Sequence, residues 1–259
     1  VIAGLPPHRF AALAALVFFA GIVDSLAGGG GLITLPAYLA AGLSPALVLG
    51  TNKLGSCIGT TASVFNYHRG KTLSPKRLAL PVAACLLGSF LGARLATLLH
   101  PTYIRTTLLV VLPVLAAFLF FRRDFGHTDE TGRHTPAALQ ARTAAVTLPC
   151  GFYDGIFGPG TGTFMALGLT RVAGFDLLEA TGLTKLFNLS TNAAALATFL
   201  YAGRVSVPLG LSMAVASLGG HYTGSHLGLR GGARTIRPAV LLVCAALFVK
   251  LLLDVCAGR

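Results

Sequence analysis

Four stretches of this chain, residues 10–27, 78–99, 106–121 and 239–253, carry few charges and run near the ~20 residues that cross a ~30 Å hydrocarbon layer. They are apolar all round and rich in Leu and Ala, not alternating, which excludes the strand pattern of a β-barrel. Of the 259 residues, 54% are hydrophobic and 11% charged, with a mean hydropathy of +0.76, more apolar than a soluble core requires. The expected fold is an all-α integral membrane protein with about eight to ten hydrophobic helical segments by span length. The opening apolar run leads directly into Asp24 and a glycine cluster that recur later, so it is expected to belong to the fold and not to a cleaved signal.

The second half of the chain restates the first. Gly21, Asp24, Gly28 and Gly30 recur 130 residues later as Gly151, Asp154, Gly158 and Gly160. The spacing then becomes 132: Lys53 and Leu54 pair with Lys185 and Leu186, Gly88 and Gly92 with Gly220 and Gly224, Ile104 and Arg105 with Ile236 and Arg237. This divides the chain into a first transmembrane repeat (residues 1–121), a polar inter-repeat linker (122–142) holding Arg122, Arg123, Asp124, Asp129, Glu130, Arg133 and Arg142, and a second transmembrane repeat (143–259).

The formal net charge of +12 does not point to nucleic acid, because the basic residues gather in short loops between apolar segments, where they set orientation. The loop after Tyr67 holds Arg69, Lys71, Lys76 and Arg77, whereas its counterpart after Tyr201 holds Arg204. One loop later the asymmetry reverses, with Arg105 in the first half against Arg230, Arg234 and Arg237 in the second. Basic loops on the cytoplasmic side make the repeats inverted, with an odd number of crossings in each half and a broken or re-entrant helix at each glycine motif. A parallel arrangement of four plus four crossings is the alternative. Cys57, Cys85, Cys150, Cys244 and Cys256 are scattered without metal-site or disulfide spacing, so no metal and no cofactor is expected.

The densest signal is Asp24 followed by Gly28, Gly29, Gly30 and Gly31, then Thr51, Asn52 and Lys53. Its echo is Asp154 followed by Gly158, Pro159, Gly160, Thr161 and Gly162, then Thr184, Lys185 and Asn188. Four successive glycines do not continue a helix, each costing roughly 1 kcal/mol against Ala. The backbone therefore opens between residues 27 and 32, and a helix restarting near Leu32 or Thr163 turns free amides and a partial positive charge toward whatever lies there. An oxyanion suits that position. Lys53 and Lys185 lie in otherwise apolar sequence, where a mid-membrane cation costs at least ~2.5 kcal/mol. In one reading both lysines approach the glycine breaks and neutralise an anion, with Thr51, Asn52, Asn188 and Asn192 donating hydrogen bonds. In the other, each pairs with Asp24 or Asp154 for structure, or snorkels to an interface. Asp24, Asp154 and His221 are candidates for proton coupling, or else tie down loop amides and neighbouring helices. Gly88, Gly92, Gly220 and Gly224, spaced by four, are read as helix packing.

These motifs resemble the TauE/SafE family of sulfite exporters across nearly the whole chain. The resemblance implies transport of sulfite, thiosulfate or an organosulfonate such as sulfoacetate, in the inner membrane of a bacterium. Pro159 in place of Gly29, and Thr184 in place of Asn52, leave the two half-sites unequal. The glycines of residues 158–162 lack the lysine–hydroxyl ending and the soluble strand of a nucleotide loop, so a gradient and not ATP is the expected energy source. The expected function is that of a secondary transporter of small anions, not an enzyme, whose partners are a small anionic substrate and the lipid bilayer; a homo-oligomer is left open. An anion channel remains an alternative, as does an intramembrane hydrolase built on Ser25, Asp24 and His221.

Overall fold

The computed structural model describes residues 5–69, 75–99 and 129–231. The apolar stretches 106–121 and 239–253, the linker residues Arg122, Arg123 and Asp124, the basic residues Lys71, Arg105, Arg234 and Arg237, and Cys244 and Cys256 lie outside the described residues. Among those described there are eight α-helices: α1 (Pro7–Ala27), α2 (Gly31–Ala40), α3 (Pro45–His68), α4 (Pro75–Leu98), α5 (Pro136–Ile156), α6 (Thr161–Gly168), α7 (Leu177–Tyr201) and α8 (Val207–Gly231). The all-α expectation holds.

The helix limits follow local chemistry. Proline opens α1, α3, α4 and α5, where its missing N–H and fixed φ fit the first turn. Thr135 caps α5, its Oγ1 accepting from the Ala138 amide at 3.3 Å, so the helix takes in Arg142 from the polar end of the linker. Asp176 caps α7 by accepting from the Leu178 and Glu179 amides at 2.8 and 2.9 Å. A π-helical turn, Leu169–Ala173, ends at Gly174 in the left-handed region (φ 81°) and carries the chain from α6 to α7.

Phe19, Phe65, Leu87, Leu98, Leu211 and Val215 are exposed, while Thr60, Ser63, Ser89, Thr147, Asn192, Lys53 and Lys185 are buried among apolar side chains that form two clusters. Large apolar side chains on the outside with charged and hydroxyl groups gathered within are what lipid, not water, favours as the surrounding solvent. Two of the described helical stretches, Pro7–Ala27 and Leu78–Leu98, are long and apolar enough to cross a membrane by themselves.

The helix contacts exchange elements between the halves. α1 packs on α8 through Gly21 against His221, Ile22 against Gly224 and Leu26 against Gly228; α5 packs on α4 through Thr147 against Pro81, Gly151 against Cys85 and Gly155 against Ser89. Both sets of pairs advance together, so each helix runs in the same sense as its partner. α3 runs with α8 (Leu54 at Gly210, Tyr67 at Gly228) but against α7 (Gly50 at Phe199, Tyr67 at Gly182), and α7 runs with α4 (Thr191 at Ser89, then Arg204 just past the end of α7 at Ala96). Helices α1, α3 and α8 thus point one way, and α4, α5 and α7 the other.

The glycines spaced by four are the contact points of these seams, as the small-residue pattern implies. A Cβ on Gly92 would stand 3.0 Å from the Phe152 carbonyl carbon and 3.1 Å from the Ile156 nitrogen, and one on Gly224 2.8 Å from the Ile22 Cα. Backbone cannot yield as a side-chain tip can. Gly92→Ala is expected to cost about 1–3 kcal/mol by overpacking, read as a lowered melting temperature of the purified protein, whereas Gly132→Ala, at a position with open space around it, leaves it unchanged. Equal melting temperatures for both variants would refute the backbone contact at this seam.

Candidate functional site

Helix α1 ends at Gly28, whose φ of 77° only glycine adopts without strain, and whose N–H donates to the Asp24 carbonyl at 2.7 Å. Three residues later α2 begins and folds back, bringing Gly30 against Ala20 and Asp24. The Asp24 carboxylate fixes this turn by accepting from the Gly30 amide through Oδ1 at 3.0 Å. In the second half the break lies between Ile156 and Thr161, with Gly158 and Gly160 both left-handed at φ 94° and 79°. Tyr153 Oη donates to the Pro159 carbonyl at 2.7 Å, and Thr161 Oγ1 to the Gly158 carbonyl at 2.7 Å.

The two breaks meet. Gly28 lies against Gly162 backbone to backbone, Gly31 faces Pro159, and Thr163 Oγ1 donates to the Ala27 carbonyl. A side chain at Gly28 or Gly162 would occupy space already filled by the opposite loop. Close approach of two open backbones is therefore the reason for glycine at these positions.

Each lysine serves the break of the other half. Lys53 on α3 donates to Asp154 Oδ2 at 2.7 Å and to Asn192 Oδ1 at 2.9 Å, and both charged side chains of the pair are 3% exposed. Gly158 lies directly beside this pair, where a Cβ would meet Lys53 Nζ and Asp154 Oδ1 at 3.1 Å each. Lys185 on α7 donates to the main-chain carbonyl of Asp24. Both ammonium groups thus stand at the C-terminal end of a broken helix, where the helix dipole favours a cation. The structure places both ammonium groups at the breaks of the opposite half, Lys53 in contact with a carboxylate and Lys185 in contact with a main-chain carbonyl.

The two half-sites differ in what holds the carboxylate. Asp24 Oδ2 meets His221 Nε2 at 3.1 Å, and Thr60 Oγ1 lies 3.5 Å from the same nitrogen. His221 Nδ1 is 2.9 Å from the Ser217 carbonyl, which can only accept, so Nδ1 carries a proton. The Nε2–Oδ2 contact then needs one further proton between the two groups, held as aspartate with imidazolium or as aspartic acid with neutral imidazole. Asp154, by contrast, contacts an ammonium directly, whereas the Lys185 charge acts on Asp24 from beyond contact.

The remaining sequence candidates separate. Asn192 reaches Lys53, and its Nδ2 donates to Asn188 Oδ1 at 3.1 Å, so α7 supplies a polar ladder behind the ion pair. Asn52 Oδ1 accepts from Thr34 Oγ1 at 2.6 Å and steadies α2 behind the break. Thr51 turns away from the breaks: its Oγ1 accepts from the Ser206 amide at 2.9 Å, at the start of α8. Ser25 Oγ lies 2.8 Å from Ser63 Oγ, while His221 Nε2 engages Asp24, so the nucleophile–base contact of a hydrolase is not the one made. Tyr153, Thr34 and Thr60 have no role legible from sequence, because isolated hydroxyls on apolar helices carry no pattern that separates a site from a helix contact.

Beside the meeting point is a cavity of about 10 Å³, walled mainly by apolar atoms of Leu26, Ala27, Ala166, Leu167 and Leu177, with Gly162, Thr163, Thr181, Thr184 and Lys185 also bounding it. That is room for one water-sized sphere and not for a three-oxygen anion.

A family model described as "Sulfite exporter TauE/SafE" matches residues 13–251. Three curated relatives align over most of their lengths: "Probable membrane transporter protein ORF9" of Sinorhizobium sp, 38% identical over 95% of this chain and 94% of the relative; "Probable membrane transporter protein YfcA" of Escherichia coli strain K12, 36% identical over 92% and 88%; and a "Probable membrane transporter protein" of Haemophilus influenzae, 31% identical over 92% and 92%. No solved structure matches the chain.

Removing one partner of a buried ion pair leaves the other charge stranded, at roughly 3–5 kcal/mol, whereas removing both costs far less. Lys53→Met and Asp154→Leu are each expected to lower the melting temperature sharply, and the double variant to recover much of the loss. A double variant as unstable as the sum of the two singles would show that Lys53 and Asp154 are not coupled.

Proposed function

The chain belongs to the TauE/SafE sulfite exporter family, and from that premise we propose that it is a membrane transporter of small anions, with sulfite and related sulfur oxyanions or organosulfonates as substrates. One observation carries the proposal: two buried ammonium groups are held at two opened helices that touch each other across the halves. Cationic side chains beside unwound backbone at the middle of a helical bundle form a site an anion can occupy. The named relatives, described as probable membrane transporter proteins, support the transport class.

A carrier fits better than a channel, because the space at the breaks holds about 10 Å³ and must open and close to pass an anion. Asp24 and His221 are assigned the coupled proton: they form a dyad that shares one proton and touches the α1 break. Asp154, tied to Lys53, is assigned the scaffold.

The repeats are inverted in this proposal. Support comes from the helix senses, since α1, α3 and α4 each run opposite to their sequence counterparts α5, α7 and α8. The short helices α2 and α6, about 15 and 12 Å long at 1.5 Å per residue, reach about halfway across the hydrocarbon layer, which suits re-entrant segments. The end of α3 at Tyr67, the described end of the linker at Glu130 and the end of α8 at Arg230 fall at one end of the bundle. Tyr67 reaches Gly228 and Gly182 there, and the Glu130 amide donates to the Gly174 carbonyl at 2.7 Å. That basic end is assigned to the cytoplasm of a bacterium.

Cysteines placed singly at Gly132, Arg230 and Ala202, in a chain whose five native cysteines are replaced by alanine, test the topology with an impermeant maleimide. Positions 132 and 230 are expected to label from one face and 202 from the other. Labelling of 132 and 230 from opposite faces removes the inverted arrangement.

Uptake of radiolabelled sulfite, thiosulfate and sulfoacetate into liposomes holding the purified protein tests the activity. The expected result is saturable flux of one of them, accelerated by an imposed pH gradient in the wild type and insensitive to that gradient in His221→Gln. Flux that rises linearly without saturation would favour a channel, and wild-type flux indifferent to the gradient would remove the proton from the mechanism.

A further inference from the structure

The two lysines, equivalent in sequence, are unequal in their surroundings. Lys53 is neutralised at 2.7 Å by the carboxylate of Asp154 and held again by Asn192. Lys185 donates to a neutral main-chain carbonyl, and among the described residues no carboxylate oxygen lies within ion-pair distance of its ammonium. The nearby acidic group, Asp24, acts on Lys185 through its charge from beyond contact distance, while its carboxylate oxygens contact the Gly30 amide and His221. An ammonium 1% exposed whose counter-charge does not touch it keeps contact positions open for a second anion.

The cavity beside the breaks is bounded by this lysine and by its neighbour Thr184, whose Oγ1 is buried without any hydrogen-bond partner. Buried hydroxyls are almost always paired, and an orphan in a native structure calls for a ligand or water. Thr163 and Gly162, in the first turn of α6, stand on the opposite wall. The space, about 10 Å³, matches one oxygen atom of an oxyanion.

We infer that the anion binds at Lys185 and not at Lys53, with one of its oxygens in the cavity between α6 and α7 and the Thr184 hydroxyl donating to that oxygen. This rests on the anion-transport reading and goes further by assigning the site to one lysine and adding Thr184 to it. Admission of the remaining oxygens requires the contact of Gly28 with Gly162 to part, which makes the α1–α2 and α5–α6 breaks the moving walls. Lys53 and Asp154 stay together throughout as the fixed wall.

The test is the melting temperature of the purified full-length chain in detergent, titrated with sodium sulfite, thiosulfate or sulfoacetate against sodium chloride of equal ionic strength. The wild type is expected to be stabilised by at least one of the three. Thr184→Val removes an unpartnered hydroxyl and so keeps the anion-free melting temperature, but weakens the anion's apparent affinity by roughly tenfold or more, as expected for a hydrogen bond to a charged group. Thr184→Ser keeps the affinity, and Thr184→Ala supplies the same comparison should the valine variant not fold.

Wild-type affinity in Thr184→Val or Thr184→Ala, or no stabilisation of the wild type by any of the three anions, overturns the assignment. If liposome flux is absent while anion stabilisation still depends on Thr184, the carrier reading falls and the binding site stands. If flux is present and indifferent to Thr184, the carrier stands and this site falls.

Discussion

Placing two ammonium groups inside an apolar envelope is the constraint on which the rest of this structure depends. A lysine in a low-dielectric interior must find a carboxylate, a dipole or both, or it loses its charge. Here neither lysine finds its partner within its own repeat. Lys53 takes Asp154 and Asn192 from the second half, and Lys185 takes the end of α1 from the first. Neither repeat alone can satisfy its own lysine, so the halves are bound to fold around each other, with the antiparallel α3 and α7 at the centre.

The exchange of outer helices follows from the same demand. To bring α1 to Lys185 and α5 to Lys53, the first helix of each half must lie across the other half's territory, and it does so on α8 and α4 respectively. Lipid gives no hydrophobic drive between helices, so these seams depend on close van der Waals approach and interhelical hydrogen bonds. Gly21 with Gly220 and Gly224, and Gly151 with Gly88 and Gly92, are the same seam used twice, which is why they recur at the repeat spacings. The polar residues on the inner faces, among them Ser89 bonded to the Thr191 carbonyl and Asn66 to Ser225, add directional contacts.

What could be read from the sequence is what depends on local pattern. The helix breaks at residues 28–30 and 157–160, the repeat, the buried lysines and the glycine seams all show as residue types at short or constant spacing. Span counting is less legible, for a physical reason. Helices α3, α7 and α8 carry the polar Thr51, Asn52, Lys53, Lys185, Asn188, Asn192 and His221, which lower their apolar character, so α1 and the Leu78–Leu98 stretch alone among the described helices stand out as spans. Partner choice was not legible at all. Whether Lys53 meets Asp24 or Asp154, and whether Thr51 faces an anion or the Ser206 amide, depends on interhelical register, which one chain's sequence does not encode at any fixed spacing.

The repeat scaffold therefore holds two half-sites of similar sequence in different electrostatic conditions. His221 stands opposite Asp24, where the repeat spacing places Ser89 in the other half, and the one imidazole changes the balance of charge around its lysine. With Asp24 turned to His221 and the Gly30 amide, Lys185 contacts a carbonyl and feels the Asp24 charge from beyond contact; with Ser89 turned to a carbonyl of α7, Asp154 contacts Lys53 directly. A protonation change at the dyad would alter the charge facing Lys185 without touching Lys53. One side chain is thus sufficient to give two lysines at repeat-equivalent positions different contacts, a carboxylate for one and a carbonyl for the other.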